Sequence, residues 1–398
     1  VLGELYVDKS RYMYNIKVMK NKKTPLEELD FNNEKRPKQL AIETYQKLIE
    51  KFPHFRDRDK AIFFMAHEYR EMGQFEEMIA AYQKLTAEYP QSLYYAESLV
   101  IIGNYFFDEK KDLDGASGYY KRVINLRDNP FVPLARYKLG WVYINQGKFL
   151  DSLLSFEAIL TTDSKIDISK LPEIYRKTDV RRDALVAMAW PYSEVNPQTL
   201  KKLGGDRLEP VEYFKRLSNN KVSYEKALER LGRRMSVKQR YVATTRIYFE
   251  LLKLTKNVDL RAEAVEKLYE AMKNSLKSWP VYGFTEIICE TINQIRYSFD
   301  PEMTPKIKLQ HEKNFEIFAR DAATRAQARA KESKRLEDYR LAISAYRAYL
   351  WAFEKSSHAA AIHLDLAESY FNIKDFVNAG KEYEWMAKYT KTLVKRRS

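Results

Sequence analysis

Gly140 constrains how this chain can fold more than any other residue. It stands in Leu139-Gly140-x-x-Tyr143, followed by Gly147-x-Phe149 and then by Ser152-x-x-x-Phe156-x-x-Ile159. Small residues at Gly140 and Ser152 let two short antiparallel helices touch closely, and Tyr143, Phe149 and Phe156 fill the space around that contact. The same spacing recurs on a common register of about 34 residues, in which the helices cross at the eighth, twentieth and twenty-seventh positions. One copy places Ala66, Met78 and Leu85 there, with Tyr69, Gly73, Phe75 and Tyr82 between them and Pro90 closing the unit. The next has Gly103, Phe106, Ala116, Tyr120 and Val123, with one extra residue in its turn at Lys110-Lys111-Asp112. Lengthening a surface turn by one residue costs little. Leu231-Gly232-x-x-Met235 with Tyr241, Thr244, Tyr248 and Leu251 forms a further copy, and Leu366-Ala367-x-x-Tyr370 with Phe376, Ala379, Tyr383 and Met386 another.

Degenerate copies fill much of the rest. Ala41, Tyr45, Leu48 and Pro53 read as the second helix of a unit whose first helix lies around Thr24 to Phe31. Ala342, Tyr346 and Tyr349 read as another second helix, with Glu354 where a closing Pro is expected. Its first helix belongs to the segment Lys306 to Arg335, whose Ala, Arg and Glu content favours one helix longer than a standard unit supplies. Ala184 to Val195 reads as a first helix, followed by an insertion through Gly204-Gly205, with Val211 to Leu217 as its partner. Leu260 to Tyr297 is helical in character with no fixed register.

These recurring positions resemble the tetratricopeptide (TPR) repeat, and the chain is similar to tandem TPR proteins with roughly eight or nine helical hairpins. The resemblance implies an all-α fold, a TPR-type α-solenoid wound as a right-handed superhelix. Three segments are expected: an N-terminal array over 1–165, degenerate and basic units with the Gly-Gly insertion over 166–256, and C-terminal helical repeats over 257–398. A Trp- and Tyr-containing helix, a Gly-Gly insertion and then Leu-Glu-Arg-Leu-Gly, within Arg182 to Lys253, resemble TPR lipoproteins and periplasmic TPR proteins of Gram-negative envelopes. Gliding-motility and outer-membrane assembly machines contain such proteins.

Composition agrees with an array. At 398 residues the chain exceeds the roughly 250–300 that one core usually serves. Twenty-nine Tyr and twenty Phe beside twelve Gly and thirteen Pro fit helix pairs sealed by aromatics, and leave little material for a turn-rich β fold. The most strand-like run, Leu99-Val100-Ile101-Ile102, leads directly into Gly103 of a repeat, which makes it helical core. No segment approaches the roughly 18–20 uninterrupted apolar residues of a membrane span. The chain starts at Val1 with no charged start and apolar stretch, so no signal peptide is read and the native N-terminus is expected upstream. A lone Cys289 rules out an internal disulfide, and its Ile287-Ile288-Cys289 setting reads as a buried thiol.

Net charge is +14, and Lys201 to Lys256 carries fifteen basic and six acidic side chains. That excess reads either as an attractive field for an acidic partner or as a solvated surface that keeps a long array soluble. Nucleic acid is disfavoured as a partner: Arg230, Arg233, Arg234 and Arg240 cluster, but no RNA-binding repeat code, helix-turn-helix or zinc-finger pattern lies beside them. Enzyme signatures are poor. Gly204-Gly205 lacks the Lys-Ser/Thr ending of a phosphate loop. His358 and His363, with Asp365 and Glu368, form the only cluster worth weighing as a metal site, but five residues of helix turn the two imidazoles about 140° apart. They read as solvated surface histidines. Glu76-Glu77 and Glu27-Glu28 diverge on their helices, and no nucleophile has a base at a recognisable spacing. No catalytic residue, metal or cofactor is expected.

The TPR resemblance implies that the first helix of each unit lines a concave groove through fixed register positions. Those positions carry Phe63, His67 and Arg70, then Asn104 and Phe107, then Tyr137 and Trp141, with Trp190 from the degenerate unit. Lys226 and Arg233 follow, beside Arg230 and Arg234. Such a wall suits protein or peptide segments with apolar anchors and acidic groups; the alternative is that Trp141 and Trp190 are covered by neighbouring helices. A clamp for a terminal carboxylate is not expected, because Phe63 and His67 stand where the family's clamp has Lys and Asn, and only Asn104 matches. Two functions stay open. One is a non-catalytic protein-binding scaffold of a bacterial envelope complex, periplasmic or outer-membrane-associated, with membrane contact only through residues outside this chain or through partners. The other is a cytosolic helical-repeat adaptor for a regulatory peptide or an RNA.

Overall fold

The computed structural model describes residues 1–21, 32–176, 180–275 and 283–397, and the described residues contain helices and turns but no strand. The residues gather into two compact units, Val1–Ala184 and Leu185–Ser398. No helix among the described residues is long and apolar enough to cross a membrane.

The first unit begins with α1 (Leu2–Lys20), α2 (Asn32–Lys51), α3 (Arg58–Glu71) and α4 (Phe75–Glu88). It continues with α5 (Tyr95–Asp108), α6 (Leu113–Ile124), α7 (Val132–Asn145) and α8 (Phe149–Leu160), then short α9 (Glu173–Arg176) and α10 (Val180–Ala187), within which the division falls. Neighbours pack as hairpins, α3 on α4, α5 on α6 and α7 on α8. The strand-like run Leu99–Ile102 lies buried inside α5. A Cβ built on Gly103 would stand 2.7 Å from the Tyr120 ring, and one on Gly140 would stand 2.5 Å from that of Phe156. Carbon atoms in contact sit about 3.5–4.0 Å apart, so both crossings depend on glycine.

The five clear units share one closure. The backbone N–H groups of Gln74, Asp112, Lys148, Arg240 and Asp375 donate to the carbonyls of Tyr69, Phe106, Tyr143, Met235 and Tyr370 at 2.8–3.0 Å, satisfying a carbonyl that the helix end leaves open. The residue before each donor is left-handed. Gly73 and Gly147 supply this at φ 74° and 71°, while Lys111, Gln239 and Lys374 adopt it at 54°, 55° and 63°.

The helix expected around Thr24 to Phe31 lies outside the described residues. The second helix bearing Ala41 and Tyr45 is α2, and it packs against α1, with Gly3 beneath the Tyr45 ring. This is the same glycine-under-aromatic contact, delivered from farther back in the chain.

The second unit comprises α11 (Ala189–Glu194), α12 (Pro197–Leu203), α13 (Pro210–Leu217), α14 (Lys221–Val237) and α15 (Tyr241–Leu254). It continues with α16 (Val258–Lys273), α17 (Phe284–Arg296), α18 (Pro305–Ser333), α19 (Leu336–Phe353), α20 (Ala359–Asn372) and α21 (Phe376–Arg397). The single helix expected over Ala184–Val195 is broken at Met188. Pro191 lacks the N–H that would bond to the Ala187 carbonyl, so α10 ends there. The expected partner forms as α13, with Tyr192 stacked on Tyr213 at 5.7 Å and edge-on to Phe214 at 5.5 Å. Starts are fixed by side chains: Asn220 accepts from Ser223 N–H at 2.9 Å, and Asn257 from Leu260 N–H at 2.8 Å. The long helix expected after Lys306 is α18, of 29 residues. Buried Ala319, Ala322, Ala323, Ala326 and Ala330 give it a small-residue face for Tyr346 and Tyr349 of α19. Helices α16 and α17 lie in the stretch that carried no fixed register, of which 276–282 lie outside the described residues, and Cys289 is buried in α17, where burial pushes its thiol far above the ordinary range.

Candidate functional site

Three clear hairpins, all in the first unit, each seat one first-helix side chain on the aromatic ring of the second helix. In the first unit, His67 meets Tyr82 edge-on at 6.2 Å, Trp141 meets Phe156 at 6.1 Å, and Asn104 accepts a 2.8 Å hydrogen bond from the Tyr120 hydroxyl. The side chain follows directly after the small crossing residue, Ala66, Gly103 or Gly140. The contact that holds the helices together therefore also fixes what the face displays.

Phe63 does not lie on an exposed face of the first unit. Phe63 is only 4% exposed and stacks on Tyr94 at 4.4 Å, so it belongs to the core rather than to a binding face. Tyr94, at the start of the next first helix, covers it. His67 is partly buried, and that burial together with the Arg70 charge pushes its imidazole below the ordinary range. Arg70 is exposed, and Asn104, Phe107, Tyr137 and Trp141 are half-buried. Tyr137 and Trp141 lie 6.2 Å apart edge-on, and both lean on Phe156.

Arg70 and Asn104 meet in a depression of about 240 Å³ that sequence reasoning did not foresee. Its walls are Phe75, Ile101 and Tyr105 together with Ile174 and Tyr175, which arrive from α9. The Tyr175 ring stands edge-on to Phe131 at 5.3 Å, and its hydroxyl lies beside the Glu97 carboxylate. Burial raises the Glu97 carboxyl above its ordinary value, and the Tyr175 hydroxyl offsets part of that rise. An apolar-aromatic pair within an otherwise polar stretch is the one signal the sequence offers.

The second unit presents Trp190 at 39% exposure, with the Arg234 guanidinium 4.6 Å above its ring centroid. Arg234 also donates to Ser193 Oγ at 2.9 Å and to Glu194 at 3.2 Å, while Lys238 pairs with the same carboxylate at 2.5 Å. Lys238 foremost, with Arg234, holds Glu194 below the usual carboxylate range. Arg233 grips Glu263 with two bonds of 2.7 and 2.6 Å and pairs with Glu229 at 3.1 Å, which raises its pKa further. The basic cluster is thus partly neutralised within the chain: Arg233 and Arg234 are engaged by carboxylates, and the exposed cations on this helix include Lys226 and Arg230, one turn apart.

The two histidines weighed as a metal pair have separate surroundings. His358 lies 3.2 Å from Glu316, whereas His363 is buried, 2.5 Å from Glu382 and stacked on Trp385 at 3.7 Å. The surface reading fails for His363, because α21 brings Glu382 and Trp385 over it. Among the described residues no group of three or more His, Cys, Asp or Glu is placed to hold a metal ion. A second depression, of about 820 Å³, opens beside Glu316 between Ile317, Arg320, Trp351 and Phe353. Burial would raise Glu316, but the Tyr349 hydroxyl and Arg320 hold it below the ordinary range.

Residues 69–92, the end of α3 with α4, match the tetratricopeptide repeat family. No curated protein matches the sequence. Among solved structures the chain is similar to the C-terminal part of a TPR repeat-containing protein from Cytophaga hutchinsonii, at 13% identity over 82% of this chain and 94% of that one, with a TM-score of 0.32. It is also similar to the apo form of the quorum sensor NprR from B. thuringiensis, at 14% identity over 88% of this chain and 93% of that one, with a TM-score of 0.30.

Proposed function

We propose that this array of tetratricopeptide-type hairpins is a non-catalytic scaffold that holds protein or peptide segments against its first helices. The supporting observation is the row of partly exposed side chains, Asn104, Tyr137 and Trp141, each positioned by a buried ring behind it. Rigid aromatics that lose little freedom on contact make strong anchors. The second unit adds Trp190 with exposed Lys226 and Arg230, which suits segments carrying both apolar and acidic groups. The setting we propose is a bacterial envelope complex, on the resemblance carried by Arg182 to Lys253.

The test is capture of partners from a cell extract with two variants. Trp141→Ala weakens capture at all salt concentrations and mainly speeds dissociation. Lys226→Glu with Arg230→Glu slows association, most visibly at low salt, because exposed charge is already screened near physiological ionic strength. If both variants fold normally and bind as the parent does, the first helices are not the binding face. Recovery of the full-length protein in a cytosolic rather than an envelope fraction would reject the setting alone.

A further inference from the structure

After α8 the chain does not go straight on to α10. It passes through two short turns, Thr162–Lys165 and Ile168–Lys170, and then lays α9 against the first helices of its own unit. The base of this excursion is fastened: Arg136 Nε bonds the buried Asp163 carboxylate at 2.6 Å, and Arg181 donates to the Ile166 carbonyl at 2.7 Å. Leu171 is buried, but the tip is held more lightly. Ile174 remains 66% exposed while forming one wall of the depression, and Tyr175 contributes its ring to Phe131 and its hydroxyl to Glu97.

We propose that the surface under α9 is a peptide-binding site whose ligand is an aliphatic residue followed by tyrosine, that Ile174-Tyr175 is its resident occupant, and that the depression is the space left open beside that occupant. The chemistry is read from the occupant itself. A phenol fits because the Phe131 ring stands edge-on to it and the half-buried Glu97 carboxylate lies beside its hydroxyl, whereas a carboxylate in that place would meet a like charge. The aliphatic neighbour fits because Phe75, Met78 and Ile101 line the adjoining space, with Arg70 and Asn104 at its margin for the polar backbone of a bound peptide. A tethered occupant competes at high effective concentration, so an external ligand binds only in proportion to the time the site stands open. The inference rests on the scaffold reading and adds which chemistry one of its sites selects.

The probe is a fluorescein-labelled hexapeptide Leu-Pro-Glu-Ile-Tyr-Arg, the sequence of residues 171–176, followed by anisotropy on the full chain. Ile174→Ala with Tyr175→Ala empties the site, and the peptide then binds about tenfold or more tighter than to the parent, the factor for a site filled nine-tenths of the time. The same peptide with alanine for its tyrosine does not bind. Equal affinity for parent and variant, or indifference to the peptide's tyrosine, overturns the proposal. If the double variant loses helical signal by circular dichroism, the parent decides: millimolar peptide accelerates amide hydrogen exchange across 171–176, and unchanged exchange refutes displacement. A peptide that binds nowhere while Trp141→Ala still loses partner capture sinks the resident-ligand idea and leaves the scaffold standing. Peptide binding with no effect of Trp141→Ala does the reverse.

Discussion

Substituting Gly140 tests the repeat register at its tightest point. An alanine Cβ there would lie 2.5, 2.6 and 2.9 Å from three carbons of the Phe156 ring, so that ring must retreat by roughly 1 Å to reach ordinary contact. It has little room to do so, because Phe156 is fully buried and also packs against Tyr137 and Trp141. Overpacking of this kind destabilises by about 1–3 kcal/mol, and the helix preference of Ala over Gly returns up to about 1. The net loss expected for Gly140→Ala is therefore about 0.5–2 kcal/mol, and Gly140→Leu loses more. Gly118 supplies the control: it lies in α6, and an added Cβ there meets nothing within 4 Å. Gly118→Ala then gains up to about 1 kcal/mol from helix preference alone. At about 2–4 °C per kcal/mol for a unit of this size, thermal melts followed by circular dichroism resolve the two in opposite directions. If Gly140→Ala melts at or above the parent temperature, the close crossing of α7 and α8 is wrong.

Two further perturbations separate other parts of the argument. The buried Tyr248 hydroxyl has no hydrogen-bond partner among the described residues, whereas that of Tyr120 donates to Asn104; Tyr248→Phe is expected to be neutral or stabilising by up to about 1 kcal/mol and Tyr120→Phe to lose about 1 kcal/mol, measured by denaturant titration. Glu97 binds its proton more tightly when folded than when unfolded, so its contribution is most favourable below the ordinary carboxylate value and diminishes as pH rises through the raised folded value. Glu97→Gln should therefore raise the melting temperature at pH 7 more than at pH 4, and an equal shift at both would show that Glu97 is not protonated preferentially in the fold.

The hairpins were legible because their small residues, aromatics and turn positions recur together; even the left-handed turn residue falls at the same place when it is Lys or Gln. What the sequence concealed were contacts between positions that no fixed spacing links. Gly3 pairs with Tyr45 across an insertion that includes residues 22–31, so a search at standard repeat length passes over it. Phe63 occupies the register position of a wall residue, but Tyr94 from the following hairpin covers it. The charge surplus over Lys201 to Lys256 is real as composition, yet Arg233 spends its charge on Glu263, which lies beyond that window. Likewise His363 becomes buried only when α21 returns with Glu382 and Trp385. In each case a local pattern named the element correctly while a neighbouring element decided the side chain's surroundings.

The same geometry ties stability to recognition. Phe156 fills the notch at Gly140 and supports Tyr137 and Trp141; Tyr120 fills the notch at Gly103 and orients Asn104. A ring in this position cannot be exchanged for a smaller one without both loosening the helix crossing and releasing the side chain displayed above it. Repeats can therefore vary the displayed residue, from His67 to Asn104 to Trp141, while retaining a large aromatic beneath it at Tyr82, Tyr120 or Phe156. Because the supporting ring constrains where that residue points but not what it is, one helical scaffold can present different chemistry at successive hairpins without redesigning its core.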